Sequence, residues 1–484
     1  MVAPSAQLIF GPFLLSYKFP FFPLAPVGAF RLPFFFRPTL PAFPMDKLVI
    51  DGQHALSGSI PIDGSKNTAL PLMAASVLGD GTMTIKNVPN LRDVTTFAHV
   101  LRVAGARVQF DPAAHTLTID AANITYPEAP YELVRKMRAS FYMLGALIGR
   151  RGHARVSLPG GCSWGPRPVD LHLKGLKAFG AEIDLEQGYV VARTPGGRLD
   201  GGSFRMEPSS VGATINLLLA AVTAQGSCRI ENAAREPDVV VFGEALQKMG
   251  AKIEGLGTTT IEVEGTSRLY PVEFANAPDR IELGTFMIAA AIAGAPGEPI
   301  RLTDAEPTFL GEAFLDAFRR TGAHVEVGDD YIEVAAPEEI QPVSITTDVY
   351  PGFPTDLQAQ WSVLLTQAQG RGRITDTVYT DRFKHIAELK RMNAYAMVQG
   401  DTATVRGGRS LKGAQVMSTD LRASVSLVLA GLVAQGKTHV LRVYHLDRGY
   451  EDLEGKLADA GAQIHRETYD ESVVGEAEEL PQEA

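Results

Sequence analysis

One loop carries the residue types most able to do chemistry. Residues 158–172 hold Cys162 in the run Pro-Gly-Gly-Cys-Ser-Trp-Gly-Pro, and Arg167 follows it. That density of Gly and Pro excludes a regular helix or strand, so the sequence predicts a loop. A cation beside an exposed thiol favours the thiolate, and the backbone N–H groups of such a loop can hold a phosphate. The alternative interpretation is a glycine-rich turn with an inert thiol.

Two elements must position this loop. The run 154–158 predicts a strand that leads into it, and residues 168–176 predict a helix that follows it, with Pro168 near the first turn. The second cysteine, Cys228, stands in a strand-like alternation and is interpreted as a small packed residue.

Composition limits the classes of function. The 484 residues carry a net charge of −10, which argues against general nucleic-acid binding because phosphate neutralisation needs a basic surface. A small anionic substrate held by local arginines is compatible with that charge. Two cysteines in so long a chain indicate a reducing, cytoplasmic compartment without a disulfide framework. The sequence also shows no cluster with metal-ligand spacing and no phosphate-binding Walker loop.

The two ends of the chain differ from the rest. Residues 1–44 contain ten of the 23 Phe and nine of the 31 Pro. The prolines interrupt every apolar run, so neither a membrane-spanning helix nor a signal-peptide core is predicted there. These residues are interpreted as a disordered extension or a mis-assigned start, with Met45 as the true beginning. Residues 467–484 are predicted to form a solvated acidic tail.

One pattern recurs six times along the chain: an amphipathic helix, a Gly-Ala or Asn-Ala break, and then a short strand. Successive breaks lie 68 to 75 residues apart, at Gly105, Gly180, Gly250, Gly322, Asn393 and Gly461. Glycine or asparagine is what a left-handed helix C-cap requires. Nearly apolar helices between the breaks, such as 70–78, 215–222 and 423–430, are predicted to be buried. Six such units exceed one core, so two α/β domains of three units each are predicted.

Several ordered motifs make the chain resemble the enolpyruvyl transferases over about residues 45–465. The matching stretches are 63–68, 136–140, 159–162 with 167–170, 210–214, 231–237, 353–360, 419–424 and 447–451. The resemblance implies two inside-out α/β domains of three units each, with buried helices surrounded by sheets. It also implies that the N-terminal strand joins the second domain. The expected boundaries are 45–65 plus 278–466 for the catalytic domain and 66–277 for the domain that carries the Cys162 loop.

The resemblance also implies a reaction. The enolpyruvyl group of phosphoenolpyruvate would pass to the 3-hydroxyl of UDP-N-acetylglucosamine, with release of phosphate, as the first committed step of peptidoglycan synthesis. No cofactor and no metal is expected. The shikimate-phosphate branch of the family lacks the loop cysteine, so Cys162 favours the nucleotide-sugar branch. A non-catalytic member that only binds the nucleotide sugar is the alternative from a different class.

Five residues have implied catalytic roles. Cys162 would donate a proton to C3 of phosphoenolpyruvate, and Asp356 would take the proton of the sugar hydroxyl. Arg448 would hold the substrate carboxylate, because a guanidinium meets a carboxylate at two points. Lys66 would be one of the cations that hold a substrate anion, and Asp420 would lie near the reacting carbon and near Lys66.

The implied substrate-binding residues cover both ends of the substrates. They are Lys66, Asn67, Arg138, Arg167, Pro168, Val169, Asp170, Leu171, His172, Ser210, Val211, Gly212, Asp356, Val378, Arg422 and Arg448. Some have ordinary alternatives: Asp356 could cap a helix, His172 could be structural, and Arg138 and Arg448 could form surface salt bridges. The family commonly has a lysine where this chain has Pro208, so one expected cationic contact to the diphosphate is in doubt.

Overall fold

The structure, a computed structural model, describes residues 45–135, 137–159, 169–295 and 297–470. Its helices are α1 (Lys66–Ala75), α2 (Arg92–Ala104), α3 (Tyr131–Val134), α4 (Met143–Arg151), α5 (Asp170–Ala178), α6 (Val211–Ala221), α7 (Pro237–Lys248), α8 (Arg280–Ala293), α9 (Glu312–Arg319), α10 (Gln358–Gln367), α11 (Lys384–Arg391), α12 (Leu421–Val433) and α13 (Leu453–Asp459). Short 3₁₀ segments cover Ser76–Leu78, Arg138–Tyr142, Pro307–Leu310, Thr355–Leu357 and Val443–Arg448.

The strands are short, and each belongs to a small sheet. They are β1 (Met45–Asp51), β2 (Ser59–Pro61), β3 (Thr82–Lys86), β4 (Arg107–Asp111), β5 (Thr116–Asp120), β6 (Glu128–Ala129), β7 (His153–Ser157), β8 (Glu182–Glu186), β9 (Tyr189–Arg193), β10 (Gly202–Arg205), β11 (Ser227–Glu231), β12 (Lys252–Glu254), β13 (Thr260–Glu264), β14 (Glu273–Ala275), β15 (Ile300–Thr303), β16 (His324–Val327), β17 (Ile332–Ala335), β18 (Ile345–Thr347), β19 (Arg371–Asp376), β20 (Tyr395–Gln399), β21 (Thr402–Arg406), β22 (Gln415–Met417), β23 (Lys437–Leu441) and β24 (Gln463–Tyr469).

Six four-stranded sheets share one topology within the described residues. Each has a parallel pair at one edge followed by two antiparallel pairings, as in the order β6-β7-β9-β8. The others are β14-β3-β5-β4, β10-β11-β13-β12, β2-β15-β17-β16, β18-β19-β21-β20 and β22-β23-β1-β24. This repetition confirms the six α/β units predicted from the sequence.

The six breaks have the backbone conformation that their residue types predict. The five glycines have φ between 94° and 111°, and Asn393 has φ 73°. Each follows an amphipathic helix, which ends there because a residue with positive φ turns the chain away from the helix axis. The helix that precedes each break is one of α2, α5, α7, α9, α11 and α13.

The apolar helices between the breaks are interior, as predicted. In α6, nine consecutive residues from Ala213 to Ala221 are buried, and in α12 eleven from Arg422 to Leu432 are buried. Helix α4 packs against α6, and α10 packs against α12 and α8. A helix that is apolar all round must be covered on every side. The fold therefore has buried helices inside and sheets outside, and the predicted inside-out α/β architecture is confirmed.

The buried apolar side chains form two clusters, which define two lobes. The cluster of the first lobe runs from Ala69 to Leu269, and that of the second lobe combines Leu48–Ile62 with Ile281–Ile464. Cys228 is packed in the first cluster, as predicted, and burial raises the pKa of its thiol to about 12. The exact domain boundaries remain predictions.

The chain crosses between the lobes twice, after β2 and after β14. The two crossing segments lie side by side, because Gly64 bridges to Pro278. An ion-pair cluster ties them to the second lobe: Lys456 Nζ lies 2.7 Å from Asp63 Oδ2 and 2.9 Å from Glu282 Oε1. The backbone N–H of Asp63 also donates to Glu282 Oε2 at 2.7 Å.

The ends of the described chain meet in one sheet. Strand β1 lies between β23 and β24, and Met45 pairs with Tyr469. Strand β24 thus takes in residues 467–469, so the predicted start of the acidic tail at residue 467 is too early. The predicted extension 1–44 and residues 471–484 lie outside the described residues. In the part of the chain that is described, no helix is both long enough and apolar enough to cross a membrane.

Candidate active site

A cavity of about 410 Å³ lies between the two lobes. Its lining combines charged side chains from both sides, including Lys66 and Asp93 of the first lobe and Asp356 and Arg448 of the second. A cleft between lobes with a few convergent charged groups is a favoured place for a small-molecule site.

Two cations from opposite lobes share one carboxylate in this cleft. Lys66 is the first residue of α1, whose N-cap Ser65 accepts from the backbone N–H of Thr68 at 3.3 Å. Its Nζ lies 3.4 Å from Asp93 Oδ2. Arg448 ends a 3₁₀ segment of the second lobe and donates to Asp93 from Nε at 3.0 Å and from Nη2 at 3.4 Å.

Lys66 is strongly affected by its surroundings. Burial lowers the pKa of its ammonium, and the positive charges of Arg422 and Arg448 lower it further, whereas the carboxylates of Asp93 and Asp279 raise it. A bound anion would act in the same direction as these carboxylates. The position at the N-terminus of α1 adds to the preference for an anion, because helix N-termini carry positive partial charge.

Asp356 lies across the cleft, held by two arginines. Its Oδ1 lies 2.6 Å from Arg382 Nη2, and its Oδ2 lies 3.3 Å from Arg422 Nη2. Burial alone would raise the pKa of this carboxyl, but the two guanidinium groups outweigh burial and hold the pKa well below its usual range. Asp356 is therefore ionised at neutral pH. The alternative that it caps a helix is wrong, because the residues at the N-caps of its 3₁₀ segment and of α10 are Pro354 and Leu357.

A third group of residues forms the wall on the side of the first lobe. Ser210 caps α6, accepting from the backbone N–H of Ala213 at 3.3 Å, and Val211 and Gly212 follow in its first turn. All three line the cleft, with Asn67 and Arg138 nearby.

His172 of α5 completes this wall as a neutral imidazole. Asn216 orients it: the Oδ1 of Asn216 accepts from the backbone N–H of Gly145 at 2.6 Å, and its Nδ2 donates to Phe141 O at 3.0 Å. The same Nδ2 lies 2.9 Å from His172 Nδ1, which must accept, so the ring proton is on Nε2. Gly145 permits this contact, because a Cβ there would lie 2.3 Å from Asn216 Oδ1. Burial, and then Arg138, lower the pKa of His172 to about 3.

Known proteins are similar to this chain over most of its length. A family model described as EPSP synthase (3-phosphoshikimate 1-carboxyvinyltransferase) matches residues 50–457. The chain is 53% identical over 428 residues to the UDP-N-acetylglucosamine 1-carboxyvinyltransferase of Chloroherpeton thalassium, covering 88% of this chain and 98% of that protein. It is 52% identical to the protein of the same name from Chlorobaculum parvum, covering 88% and 100%. This chain belongs to the enolpyruvyl transferase family.

Solved structures of other enolpyruvyl transferases have the same fold. The enolpyruvyl transferase NikO from Streptomyces tendae matches with a TM-score of 0.79 and 28% identity, over 88% of this chain and 100% of NikO. An EPSP synthase from Acinetobacter baumannii matches with a TM-score of 0.68 at 17% identity, over 87% and 100%, which shows the fold alone. The family resemblance inferred from the motifs is confirmed.

Ten of the predicted site residues line the cleft of this enolpyruvyl transferase. They are Lys66, Asn67, Arg138, His172, Ser210, Val211, Gly212, Asp356, Val378 and Arg448. Arg422 approaches the cleft through its contact with Asp356. Cys162, Arg167 and Pro168 lie outside the described residues, so their roles remain predictions.

Other predicted residues have different surroundings. Asp420 is the N-cap of α12 and accepts from the backbone N–H groups of Arg422 and Ala423, both at 2.9 Å, rather than lining the cleft. Asp170 pairs with Lys174 at 2.8 Å on the exposed side of α5. Val169 and Leu171 pack against the first core cluster. Their predicted substrate contacts are not tested by these positions.

Several cleft residues were missed by the sequence analysis. Arg280 and Asp238 join the lobes across the cleft at 3.2 Å. Arg382 had a usable signal, because it stands two residues before α11 as Arg235 does before α7, at corresponding places in their units. No sequence signal pointed to a functional role for Asp93, since acidic residues are common in the first turn of a helix, where they interact favourably with the helix dipole.

No metal centre is apparent in the described ranges, where no group of three or more His, Cys, Asp or Glu side chains could hold an ion. The cations that line the cleft include Lys66, Arg138 and Arg448, and they lie among carboxylates such as Asp93 and Asp356.

Proposed function

We propose that this enolpyruvyl transferase transfers the enolpyruvyl group of phosphoenolpyruvate to the 3-hydroxyl of UDP-N-acetylglucosamine and releases phosphate. The observation that carries the proposal is identity above 50% to UDP-N-acetylglucosamine 1-carboxyvinyltransferases over 428 residues. The family model, which matches residues 50–457, spans every described cleft residue. Such a reaction is the first committed step of peptidoglycan synthesis. Cysteine usage favours the cytoplasm as its compartment.

The chemistry consists of an addition followed by an elimination. The 3-hydroxyl oxygen attacks C2 of phosphoenolpyruvate, its proton goes to a base, and C3 gains a proton, so that a tetrahedral adduct forms. C3 then loses a proton, the C2–O bond to the phosphate breaks, and phosphate leaves. The protein must provide a base, an acid and cations for one carboxylate and one phosphate.

We assign the base to Asp356. The two arginines that hold its carboxylate keep it ionised and fixed in direction, which suits a group that must meet one particular hydroxyl. A carboxylate with so low a pKa is a weak base. Proton transfer to it must therefore accompany C–O bond formation, which makes the hydroxyl more acidic as the bond develops.

The cations have separate tasks in this proposal. Arg448 and Lys66 bind the anionic groups of phosphoenolpyruvate, with Arg167 on its phosphate. Neutral His172 offers Nε2–H to the diphosphate of the nucleotide sugar, beside Ser210. Cys162 remains the proposed acid for C3. We also propose that the substrates bind between domains with the boundaries 66–277 and 45–65 plus 278–466.

The decisive experiment measures phosphate release from phosphoenolpyruvate by the full chain. Release should require UDP-N-acetylglucosamine and should not occur with shikimate 3-phosphate. Asp356→Asn should lower kcat by about 10²-fold to 10⁴-fold, the usual contribution of a general base. Asp316→Asn, at an exposed position on α9, is the matched control and should leave kcat unchanged. Release that depends on shikimate 3-phosphate, or an unimpaired Asp356→Asn variant, would contradict the proposal.

A further inference from the structure

Asp93 occupies the point in the cleft where the two lobes bring their cations together. It lies in the first turn of α2, and only 7% of its side chain is exposed. Arg448 of the second lobe donates to both of its carboxylate oxygens, and Lys66 of the first lobe approaches Oδ2. Among the described residues, these are the contacts that the Asp93 carboxylate makes.

An acid in the first turn of a helix usually interacts with that helix's own N–H groups. Asp93 instead turns its carboxylate to two cations that lie on other elements, α1 and the 3₁₀ segment ending at Arg448. Removing the charge of Asp93 would leave Lys66, whose side chain is 13% exposed, beside Arg422 and Arg448, with Asp279 as the remaining carboxylate that acts on it. Burying a cation among like charges favours the neutral amine.

We propose that Asp93 is a positioning residue: its carboxylate holds Lys66 and Arg448 around one point of the cleft and keeps Lys66 charged there until a substrate anion arrives. The identity of that anion, phosphoenolpyruvate, rests on the proposed function. The geometry of the three side chains does not.

Direct titration of Lys66 is the primary test. The full chain is labelled with [ε-¹³C]lysine, and Lys66→Arg identifies the Lys66 signal by its disappearance. The Lys66 signal should titrate at a lower pH in Asp93→Asn than in the parent. Asp93→Glu keeps the charge and should titrate close to the parent. Asp316→Asn, on the distant helix α9, controls for the substitution itself.

A kinetic test addresses the same group under the proposed function. Relative to the parent, kcat/KM for phosphoenolpyruvate in Asp93→Asn should fall further at pH 9 than at pH 7, because the neutral amine of Lys66 forms at a lower pH in the variant. Lys66→Arg should abolish this dependence on basic pH in both backgrounds. A merely structural role of Asp93 would lower the rate equally at both pH values.

The outcomes separate the two proposals. An unchanged Lys66 titration in Asp93→Asn would overturn the role of Asp93, and so would a Glu variant that loses the charge on Lys66 as readily as the Asn variant. If Asp93→Asn does not fold, the Glu variant and Asp93→Ser carry the same comparison. A parent chain that releases no phosphate with UDP-N-acetylglucosamine would refute the function alone, because the titration needs no turnover.

Discussion

His172 should make the first lobe sensitive to acid. Its Nδ1 accepts from Asn216 in a buried environment, next to the ring of Phe141 at a centroid distance of 5.2 Å. Burial lowers the pKa of His172 from 6.5 to about 3 in the folded chain. Between pH 3 and pH 6.5 the unfolded chain binds a proton at this histidine that the folded chain does not bind. The contribution of His172 to stability is therefore complete above pH 6.5 and is lost as the pH falls towards 3.

At mildly acidic pH the loss of stability depends on the pKa of His172 in the unfolded chain and not on its pKa in the folded chain. For an unfolded pKa of 6.5, linkage gives a loss of about 1.4 kcal/mol in the free energy of unfolding between pH 7.5 and pH 5.5. Other groups titrate over the same range in both directions. Burial raises the pKa of Glu282 against the opposing charge of Lys456, which favours the folded chain as the pH falls. Only the difference between parent and variant therefore isolates His172.

The assay is urea unfolding of the parent and of His172→Gln at pH 7.5 and pH 5.5, followed by circular dichroism. The pH-dependent loss should be about 1.4 kcal/mol smaller in the variant, because glutamine does not titrate. His324→Gln replaces an exposed histidine at the start of β16 and should follow the parent within about 0.3 kcal/mol. Equal pH dependence in the parent and His172→Gln would refute the buried, neutral imidazole.

Two further predictions concern Asp356 and the sixfold repeat. Arg382→Met removes a charged hydrogen bond from Asp356 and should lower the free energy of unfolding, measured in urea, by about 1.5–3 kcal/mol. The exposed control Arg320→Met should lower it by less than about 1 kcal/mol. Equal losses in the two variants would contradict a stabilising contact between Arg382 and Asp356. Asn393→Val should lower the free energy of unfolding by about 1–2 kcal/mol, because a β-branched residue resists the positive φ of this position, while Asn393→Gly should be tolerated. If the valine variant unfolds at the same urea concentration as the parent, the positive φ is not what selects the residue at this break.

The repeat was predictable from the sequence because it depends on local chemistry. Each break needs a residue that tolerates positive φ, and Asn393 meets that need as the glycines do. The apolar helices were equally legible, because a helix without a polar face has to be buried. Both patterns can be recognised in one sequence without an alignment.

The charge contacts of the cleft were only partly predictable. Motifs identified Asp356 and Arg448, but their partners Arg382 and Asp93 lie 26 and 355 residues away along the chain. The first pair forms only when the segments on either side of β19 fold together, and the second only when the two lobes meet. Each partner alone resembles an ordinary surface or helix-end residue. Asp420 has a structural role that the motifs did not indicate: it caps α12, while its predicted place near the reacting carbon stays a prediction.

The position of β1 has a consequence for synthesis on the ribosome. Of the described elements this strand is translated first, yet its partners β23 and β24 lie within residues 437–469. The seven helices and twelve strands from α1 to β14 that precede residue 276 can pack and pair among themselves as they emerge, whereas β1 and β2 must wait for segments not yet translated. A nascent chain stalled near residue 320, with β14 outside the ribosome and β15 still in the exit tunnel, should therefore resist protease across the first lobe and be cut within residues 45–61. Translation order thus divides one polypeptide into an early and a late folding body.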